Sequence, residues 1–198
     1  MPHDPAFATR LGPKGPRSWQ ALRLKDRIKP GVRVLFVGIN PGVRSARTGH
    51  HFAGYSNRFW KLLHESRLVP EPIGTEHDDR LPEWGFGITN LVGRATPGID
   101  TLRPAEFVAG ARALRRKVRR WKPEVVAFVG VTVYRAVKKT PDPFSVGLQP
   151  DTFEGARVFV LPNPSGRNAN FTYAEMLDAY RALAAYLASR LHCADSLR

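Results

Sequence analysis

The sequence predicts an α/β protein with three layers (α/β/α), in which helices cover both faces of a short, mostly parallel central sheet. Two observations lead to this prediction. Four short runs of apolar, largely β-branched residues are separated by longer segments whose apolar residues recur at helical spacing. The runs are continuously apolar, as expected of strands that are buried on both faces. Strands that alternate with helices in this way form parallel sheets.

The elements are assigned in chain order. Residues 1–18 are rich in proline and lack apolar periodicity, which predicts a flexible N-terminal arm ahead of a single domain at 19–198. Strands are expected at 32–37, 86–92, 125–129 and 158–161. Helices are expected at 19–28, 56–67, 104–121, 132–138 and 172–191. The stretches 70–84 and 140–155 contain helix and strand breakers and are expected to be connections.

Composition narrows the class of protein. The 31 Lys and Arg residues against 17 Asp and Glu give a formal charge of +14. Such a field attracts polyanions, so nucleic acid is the leading partner and a generally basic surface is the alternative. Cys193 is the one cysteine, which excludes an intrachain disulfide and a cysteine-held metal centre. Without an 18-residue apolar run or a signal-peptide core, we expect a cytoplasmic, nucleoid-associated protein that does not bind membranes.

The most informative segment reads VLFVGINPG and covers residues 34–42. Four apolar residues predict a buried strand, which then breaks into a turn that packing alone does not require. Gly38 and Gly42 allow close backbone approach, and Pro41 keeps Asn40 out of the helical region. Asn40 is therefore presented at the carboxyl end of a strand, where open α/β sheets bind ligands. The alternative is that Asn40 only caps the turn.

A second strand-to-loop segment of the same kind occurs late in the chain. Residues 158–167 read VFVLPNPSGR, with Asn163, Pro164 and Gly166 at the turn. Two such loops from opposite ends of the sequence predict one shared site. A shared site in turn implies that their strands, the first and the last, are neighbours in the sheet.

Six blocks together resemble the mismatch-specific uracil-DNA and thymine-DNA glycosylases, a branch of the uracil-DNA glycosylase superfamily. The first family motif reads GINPG, as residues 38–42 do here. The blocks at 48–54 and 57–61 look like its continuation, and those at 87–92 and 94–98 resemble the thymine-glycosylase side. The block at 163–166 resembles the mismatch-uracil side. The resemblance covers about 32–187, and six blocks in the family's order are far more specific than GINPG alone.

The resemblance implies a monofunctional DNA glycosylase that acts in base excision repair on double-stranded DNA. It would flip uracil, with thymine or alkylated cytosine as further candidates, out of a pair with guanine and hydrolyse the N-glycosidic bond. A monomer without cofactor or metal is implied. Asn40 would be the catalytic residue, because its carbonyl oxygen can hold the attacking water although its amide is no base. Backbone N–H groups near Ile39 would meet the base oxygen where charge develops.

The resemblance also implies a base pocket. Phe52 would stack on the flipped base, although a lone Phe is more often part of the core. Ser45 would contact the side of the base that carries the thymine methyl group. The pair His50 and His51 lacks a third ligand for metal, and His51 would instead donate a hydrogen bond in the pocket. Gly38 and Ile39 of the first motif complete the pocket, together with Asn90 and Thr96. Asn90 and Thr96 are candidates for hydrogen bonds to the pyrimidine edge, and their alternative role is capping of a strand end or turn.

The loop at 163–168 would contact DNA and fill the gap that the flipped nucleotide leaves. It consists of Asn163, Pro164, Ser165, Gly166, Arg167 and Asn168. The most active uracil glycosylases have a His where Asn163 stands, so slow activity that depends on weak or mismatched pairs is expected. The backbone of Ser165 and Gly166 would face the widowed guanine. The mismatch-uracil relatives have a Leu after Gly166, and the sequence leaves open whether Arg167 or Asn168 is the wedge tip.

Arginines near the motifs are better candidates for phosphate contacts than those of the helix at 104–121, whose arginines we expect to form a solvated outer face. The candidates are Arg44, Arg47, Arg58, Arg94 and Arg167. A second class of function stays open, because no motif side chain is an obvious base. In that class the protein is a non-catalytic, basic α/β nucleic-acid-binding protein.

Overall fold

The computed structural model describes residues 21–138 and 145–195, with the backbone alone in 191–195. The predicted arm at 1–18 lies outside these residues. Within them, the sheet consists of β1 (Val34–Gly38), β2 (Phe86–Asn90), β3 (Val125–Val129), β4 (Gly147–Phe153) and β5 (Ala156–Leu161). The α-helices are α1 (Val43–Thr48), α2 (Phe59–Glu65), α3 (Pro104–Trp121), α4 (Val131–Lys138) and α5 (Tyr173–Asp195). Short 3₁₀ helices lie at Thr75–Trp84 and Ile99–Thr101.

The strand order is β2-β1-β3-β5-β4. The first four strands in this order are parallel, and β4 pairs antiparallel to β5 at one edge. Val37 of β1 pairs with Thr89 of β2 and with Phe128 of β3, so the carboxyl ends of these parallel strands lie side by side at the same end of the sheet. The predicted, mostly parallel sheet is thereby confirmed.

Helices cover both faces of the sheet. Val34 and Phe36 pack with α2 and α5, whereas Leu35 and Val37 pack with α3 and α4. All five residues of β1 and of β3 are buried. Continuous apolar strands and two helical layers are what the sequence predicts, and the three-layer fold is confirmed.

The predicted helix at 19–28 is wrong for 22–28, which form no helix and pair antiparallel at two isolated bridges, Arg23 with Arg94 and Arg27 with Ile88 of the edge strand β2. The backbone N–H of Arg27 donates to the carbonyl of Ile88 at 3.0 Å, and Ile88 returns the bond at 2.8 Å. The Asp26 carboxylate binds the hydroxyl of Thr89 at 2.6 Å and the ammonium of Lys117 at 2.7 Å. These long-range partners at an open sheet edge override the local preference for a helix.

The expected connection at 140–155 is also wrong in part, because 147–153 form β4. Glu154 and Gly155 both have positive φ, at 51° and 87°, and form the two-residue turn between β4 and β5. A turn with two left-handed residues matches the twist of an antiparallel hairpin. The helix α1 was not expected, and the connection at 70–84 contains a 3₁₀ helix.

The expectation that the two motif strands are neighbours is wrong, because β3 lies between β1 and β5. Parallel strands of similar length end on the same side of the sheet even when another strand lies between them. The loops after β1 and β5 therefore need not follow adjacent strands to face one cavity.

Candidate active site

A cavity of about 420 Å³ opens at the carboxyl ends of the parallel strands, a size that suits a small ligand. Both motif loops line it, with Asn40 on one side and Asn163 on the other. The end of β3 contributes Val129 and Gly130 between them. The other predicted site residues in the lining come from the segments after β1, from β2 and from the late loop: Ile39, Ser45, His51, Phe52, Asn90, Ser165 and Arg167.

The first motif is held by backbone hydrogen bonds to the segment that follows β2. The carbonyls of Gly38 and Ile39 accept from Leu91 and Val92, each at 2.8 Å, and the Pro41 carbonyl accepts from Thr96 at 3.1 Å. Each of these carbonyls is therefore already engaged in a hydrogen bond within the protein. Backbone hydrogen bonds to the segment after β2 therefore hold the turn that carries Asn40 on both sides of this residue.

The side-chain amide of Asn40 has a defined orientation. Its Nδ2 donates to Thr96 Oγ1 at 2.7 Å, and carbonyls of Pro41 and Arg94 lie at 3.1 and 3.3 Å. Because these backbone groups are acceptors only, the nitrogen must lie on this side. Oδ1 has no hydrogen-bond partner among the described residues, and Asn40 lines the cavity.

Thr96 lies behind Asn40 and not in the cavity wall. Its side chain is buried, at 2% exposure, and its hydroxyl donates to the Gly98 carbonyl at 2.7 Å. The structure thus brings Thr96 to the catalytic candidate, although the sequence suggested a contact with the base.

Arg94, whose carbonyl lies near Asn40 Nδ2, forms an ion pair with Glu106 at the start of α3. Arg94 Nε and Nη2 donate to the two carboxylate oxygens of Glu106 at 2.7 and 2.8 Å, and Nη2 also donates to the Thr101 carbonyl. Glu106 accepts the backbone N–H of Arg103 at 2.9 Å, as expected of an acid in the first helical turn. The Arg94 guanidinium, followed by the Arg103 N–H, lowers the pKa of Glu106 to about 2.

Gly38 is required for close approach inside the pocket. A Cβ at this position would lie 2.8 Å from Oδ1 of Asn90 and 3.3 Å from the Phe52 ring. Phe52 has a φ of 50° and stacks on Phe59 with ring centroids 4.2 Å apart. The Phe52 ring is therefore supported by a fully buried core residue, while its edge and Asn90 converge above Gly38. Such a strained backbone at a cavity is typical of a functional position.

His51 orients Asn90 from behind. The ring Nε2 lies 3.0 Å from the Lys25 carbonyl, so this nitrogen carries the proton. Nδ1 is then an acceptor for the Asn90 amide nitrogen at 3.4 Å. Burial lowers the pKa of the imidazole below its ordinary value, which keeps His51 neutral. Neither nitrogen donates into the pocket, contrary to the expected role.

A fully buried carboxylate, Asp78, anchors the segment before Phe52. It accepts the backbone N–H of His51 at 2.8 Å, and the other oxygen binds Arg27 Nε at 2.9 Å and His50 Nδ1 at 3.1 Å. Burial of an acid is tolerated here because both oxygens are satisfied. His50 is therefore directed to Asp78, which lies in the 3₁₀ helix of the 70–84 connection.

Ser45 is 5% exposed and lies in α1. Its hydroxyl accepts the backbone N–H of Ala53 at 3.0 Å. Ser45 thereby connects the cavity wall to the segment that follows Phe52.

The loop at 163–168, which we call the wedge loop, closes on itself. Asn163 Oδ1 accepts the Ser165 N–H at 3.1 Å, and Asn168 Nδ2 donates to the Asn163 carbonyl at 2.8 Å. Asn168 Oδ1 accepts from Asn170, so both ends of this side chain are engaged. Arg167 is exposed, and its guanidinium has no hydrogen-bond or ion-pair partner in the part of the chain that the structure describes.

The wedge loop contacts the turn before α2. The buried Pro164 accepts the Arg58 N–H through its carbonyl at 2.9 Å. A Cβ at Gly166 would lie 2.5 Å from the Cβ of Ser56. Glycine at 166 is therefore required by a neighbouring chain segment.

The arginine candidates fall into two groups. Arg94 is held by Glu106, Arg44 donates to the Ala53 carbonyl at 2.6 Å, and Arg58 lies against Tyr173 and Met176. Arg47 and Arg167 are exposed without such side-chain partners among the described residues.

The arginines of α3 lie at the other end of the molecule. Helix α3 ends at Trp121, just before β3 begins, so its last turns lie near the amino ends of the parallel strands. Arg115 and Arg119 both pair with Glu154 in the β4–β5 turn. This placement agrees with the expectation that these arginines lie away from the motif loops.

Sequence reasoning missed several residues of the pocket wall. Leu24 belongs to the segment that was expected to be a helix, and Gly130, Thr132 and Val133 follow β3. Gly130 has a φ of 116°, and a Cβ there would lie 3.5 Å from Asn163. The glycine directly after a buried strand was the available signal for this third loop.

The described residues contain no group of three or more His, Cys, Asp or Glu side chains that could share a metal ion. None of the helices in those residues is long and apolar enough to cross a membrane.

Two comparisons agree with this geometry. The family model of the uracil DNA glycosylase superfamily matches residues 26–184, which include both motif loops, and the chain therefore belongs to this superfamily. The chain is also similar to a G/U mismatch-specific uracil DNA glycosylase of Schizosaccharomyces pombe, with 41% identity over 156 residues. That match covers 74% of this chain and 48% of the yeast protein, so the chain spans about half the length of this curated relative.

Proposed function

We propose that this protein is a monofunctional DNA glycosylase that hydrolyses the N-glycosidic bond of uracil paired with guanine, as the first step of base excision repair. The observation that carries the proposal is the fixed amide of Asn40. Its nitrogen is held by Thr96 and two carbonyls, so Oδ1 is the group offered to the cavity. An acceptor in this place can hold a water molecule in line with the sugar carbon.

The flipped base would enter between Phe52 and the first motif. The Phe52 ring supplies a flat surface that tolerates different pyrimidines. Asn90 Oδ1 lies above Gly38, where it can accept the N3–H of uracil. Because His51 takes one amide hydrogen of Asn90, the amide orientation that presents Oδ1 is favoured. The backbone N–H of Ile39 would face a base oxygen as negative charge develops on the leaving base.

The proposed reaction proceeds without a strong base or acid. Asn40 takes up no proton near neutral pH, and His51 is neutral with both ring nitrogens occupied. Asp100 is the one carboxylate among the described residues that line the cavity, and it is exposed at the rim. Rate enhancement therefore comes from positioning and from stabilisation of the departing base, which implies a slow enzyme.

We propose Arg167 as the wedge that fills the gap left by the flipped nucleotide. Its guanidinium is free of partners among the described residues, whereas both polar ends of Asn168 close the wedge loop. The contacts of Pro164 with Arg58 and of Gly166 with Ser56 hold the loop beside the cavity. Opening a base pair is easiest where the pair is weak, so a mismatch would be preferred.

Thymine opposite guanine and alkylated cytosine are proposed as weaker substrates. Ser45 is buried in the wall and its hydroxyl already accepts the Ala53 N–H, so it leaves a small side chain on that side of the pocket. We further propose that the protein acts on double-stranded DNA, since a formal charge of +14 favours association with DNA. We also propose that it acts as a monomer in the cytoplasm.

The test is alkali-induced strand breakage of an end-labelled duplex that contains one G:U pair. Parallel duplexes carry G:T, an alkylated cytosine opposite G, A:U and intact G:C. We expect breakage at G:U with wild type and loss of most activity in Asn40→Ala, while DNA affinity stays within about tenfold. Arg116→Ala, on the exposed face of α3, is the matched control and should keep wild-type rates.

Two outcomes would contradict the proposal. Tight binding to G:U duplex without breakage by wild type would favour the non-catalytic nucleic-acid-binding alternative. Equal losses of affinity and turnover in Asn40→Ala would remove the water-positioning role, because that role acts in the transition state.

A further inference from the structure

The turn Gly54–Asn57 exposes an aromatic side chain that the fold does not need. The Asn57 N–H donates to the Gly54 carbonyl at 2.9 Å, and Asn57 Oδ1 accepts the Phe59 N–H at 3.0 Å at the start of α2. Tyr55 stands at the tip of this turn with 90% of its surface exposed. A ring in this position buries almost no apolar area and contributes little to folding.

One face of the Tyr55 ring is covered by Arg44. The guanidinium carbon lies 3.8 Å from the ring centroid, and Arg44 Nε is fixed by the Ala53 carbonyl at 2.6 Å. Cation and ring form a preorganised pair, with one ring face occupied and the other free. Such a pair combines a flat aromatic surface with a positive charge.

The pair stands at the mouth of the cavity. Gly54 and Asn57, at the two ends of the turn, both line the cavity. Ser56 is the residue against which Gly166 packs, so Tyr55 and Arg167 each adjoin the same contact between the turn and the wedge loop. Two exposed side chains, one aromatic and one cationic, are therefore each attached next to the point where the turn and the wedge loop meet.

We propose that Tyr55, backed by Arg44, is a second DNA contact that stacks on a nucleotide next to the flipped one, while Arg167 occupies the gap. This inference rests on the proposed glycosylase function. Every base has a π-face, so an aromatic platform holds the strand without reading its sequence. The Arg44 charge beside the ring favours a neighbouring phosphate. The contact exists only when the strand is bound, which accounts for an exposed ring in the free protein.

The experiment uses the Asn40→Ala background, in which binding is measured without turnover. The DNA is a G:U duplex with 2-aminopurine placed directly 5′ or directly 3′ of the uracil. The variants are Tyr55→Ala, Tyr55→Gln, which keeps length without a ring, and Tyr55→Phe. The matched control is Leu148→Ala, which removes an apolar side chain of 41% exposure on the edge strand β4.

We expect Tyr55→Ala and Tyr55→Gln to weaken binding roughly 5- to 150-fold, the range that one base–aromatic stack supplies. Tyr55→Phe and Leu148→Ala should bind within about twofold of the background. The 2-aminopurine signal should change on binding at one flanking position, and this change should disappear in Tyr55→Ala and Tyr55→Gln. Because the ring is exposed, the thermal midpoint should stay unchanged in all variants.

Affinities and 2-aminopurine signals that match the background in Tyr55→Ala and Tyr55→Gln would overturn the inference. A loss in Tyr55→Phe as large as in Tyr55→Ala would also overturn it, because stacking does not need the hydroxyl. The same Tyr55 substitutions in the otherwise wild-type protein separate the two hypotheses. Breakage of G:U by wild type together with unchanged affinity in Tyr55→Ala overturns only this inference, whereas no breakage by wild type overturns the glycosylase function.

Discussion

Thr96 accepts a hydrogen bond from Asn40 Nδ2 at 2.7 Å and donates its own proton to the Gly98 carbonyl at 2.7 Å. A hydroxyl has one proton, so the bond to Gly98 leaves Thr96 able only to accept from Asn40. The side-chain amide of Asn40 is therefore held in one orientation, with Nδ2 engaged and Oδ1 as its remaining acceptor. Thr96 acts on the proposed chemistry through Asn40 and is a positioning residue.

We predict that Thr96→Val lowers the single-turnover rate on G:U duplex about tenfold, equivalent to about 1.4 kcal/mol of barrier. Valine keeps the shape of the buried side chain but removes the acceptor that fixes the Asn40 amide. Duplex affinity should change less than twofold, because orientation of the water matters in the transition state.

Thr96→Ser is the control for this prediction, since it retains the hydroxyl and should retain most of the rate. Rates and affinities are measured on the same labelled duplex. If Thr96→Ser and Thr96→Val lose the same rate, the methyl group and its packing matter, and the hydrogen bond does not.

The pair of Arg94 with Glu106 predicts a pH-dependent contribution to stability. The pKa of Glu106 is lowered to about 2 from an ordinary 4.5. A lowered carboxyl pKa stabilises the folded state fully above pH 4.5, and this stabilisation is lost as the pH falls towards 2. At pH 7, Glu106→Gln should lower the free energy of unfolding by about 1 kcal/mol, since the pair is partly exposed.

Urea unfolding of wild type and Glu106→Gln between pH 3 and 7 tests this prediction. The difference between them should be constant above pH 4.5 and shrink below it. Glu83→Gln, whose carboxylate is exposed and pairs with Arg80 one turn away, should show a smaller difference throughout. A Glu106→Gln effect that is the same at pH 3 and pH 7 would mean that charge is not its source.

Local patterns predicted the regular elements, and long-range contacts decided the rest. The strand at 125–129 and the helix at 104–121 agree with the structure to the residue, because continuous apolar runs and helical stripes are properties of short windows. The helix predicted for 19–28 was wrong because the partners of these residues, Ile88 and Thr89 among them, are more than sixty residues away in the sequence. The strand order could not be predicted, since no local signal places β3 between β1 and β5.

In the candidate site, too, local sequence patterns identified some residues, whereas contacts across the fold set the roles of others. Asn40 and Asn163 were found because strand-end loops with Asn, Pro and Gly are visible in the sequence, and Phe52 was found through the family resemblance. All three line the cavity. The partners of His51 and Thr96 were not predictable, because each is set by a hydrogen bond across the fold. A residue type indicates that a polar group is present, but only the fold shows which way it points.

DNA binding should depend steeply on salt. Neutralisation of roughly four to eight phosphates gives a log–log slope of about −4 to −7. Arg47 is exposed one helical turn beyond Arg44, so Arg47→Ala should make the slope shallower by about one. Arg116→Ala, on the exposed face of α3 near the opposite edge of the sheet, should leave it unchanged.

Fluorescence anisotropy with a G:U duplex at several salt concentrations gives these slopes. A slope near zero would show that the positive charge lies away from the DNA. A shallower slope in Arg116→Ala than in Arg47→Ala would place the DNA on the α3 face and contradict the proposed orientation.

The last prediction concerns Arg167, the exposed residue of the wedge loop. A long cationic side chain can fill the gap in the stack and also hold a nearby phosphate. Both effects stabilise the flipped state, because the gap exists only after flipping. Arg167→Ala should therefore reduce activity on duplex uracil DNA several-fold more than on single-stranded uracil DNA, where no stack is refilled. The reduction should be larger still for thymine, whose pair with guanine is harder to open.

The measurement is the ratio of wild-type to mutant activity on the duplex, compared with the same ratio on the single strand. Asn168→Ala is the matched comparison. Its amide closes the wedge loop on the Asn163 carbonyl at 2.8 Å, so its loss should loosen the loop and affect both substrates alike. If the two ratios agree within error for Arg167→Ala but differ for Asn168→Ala, then Asn168 is the wedge tip and Arg167 is not.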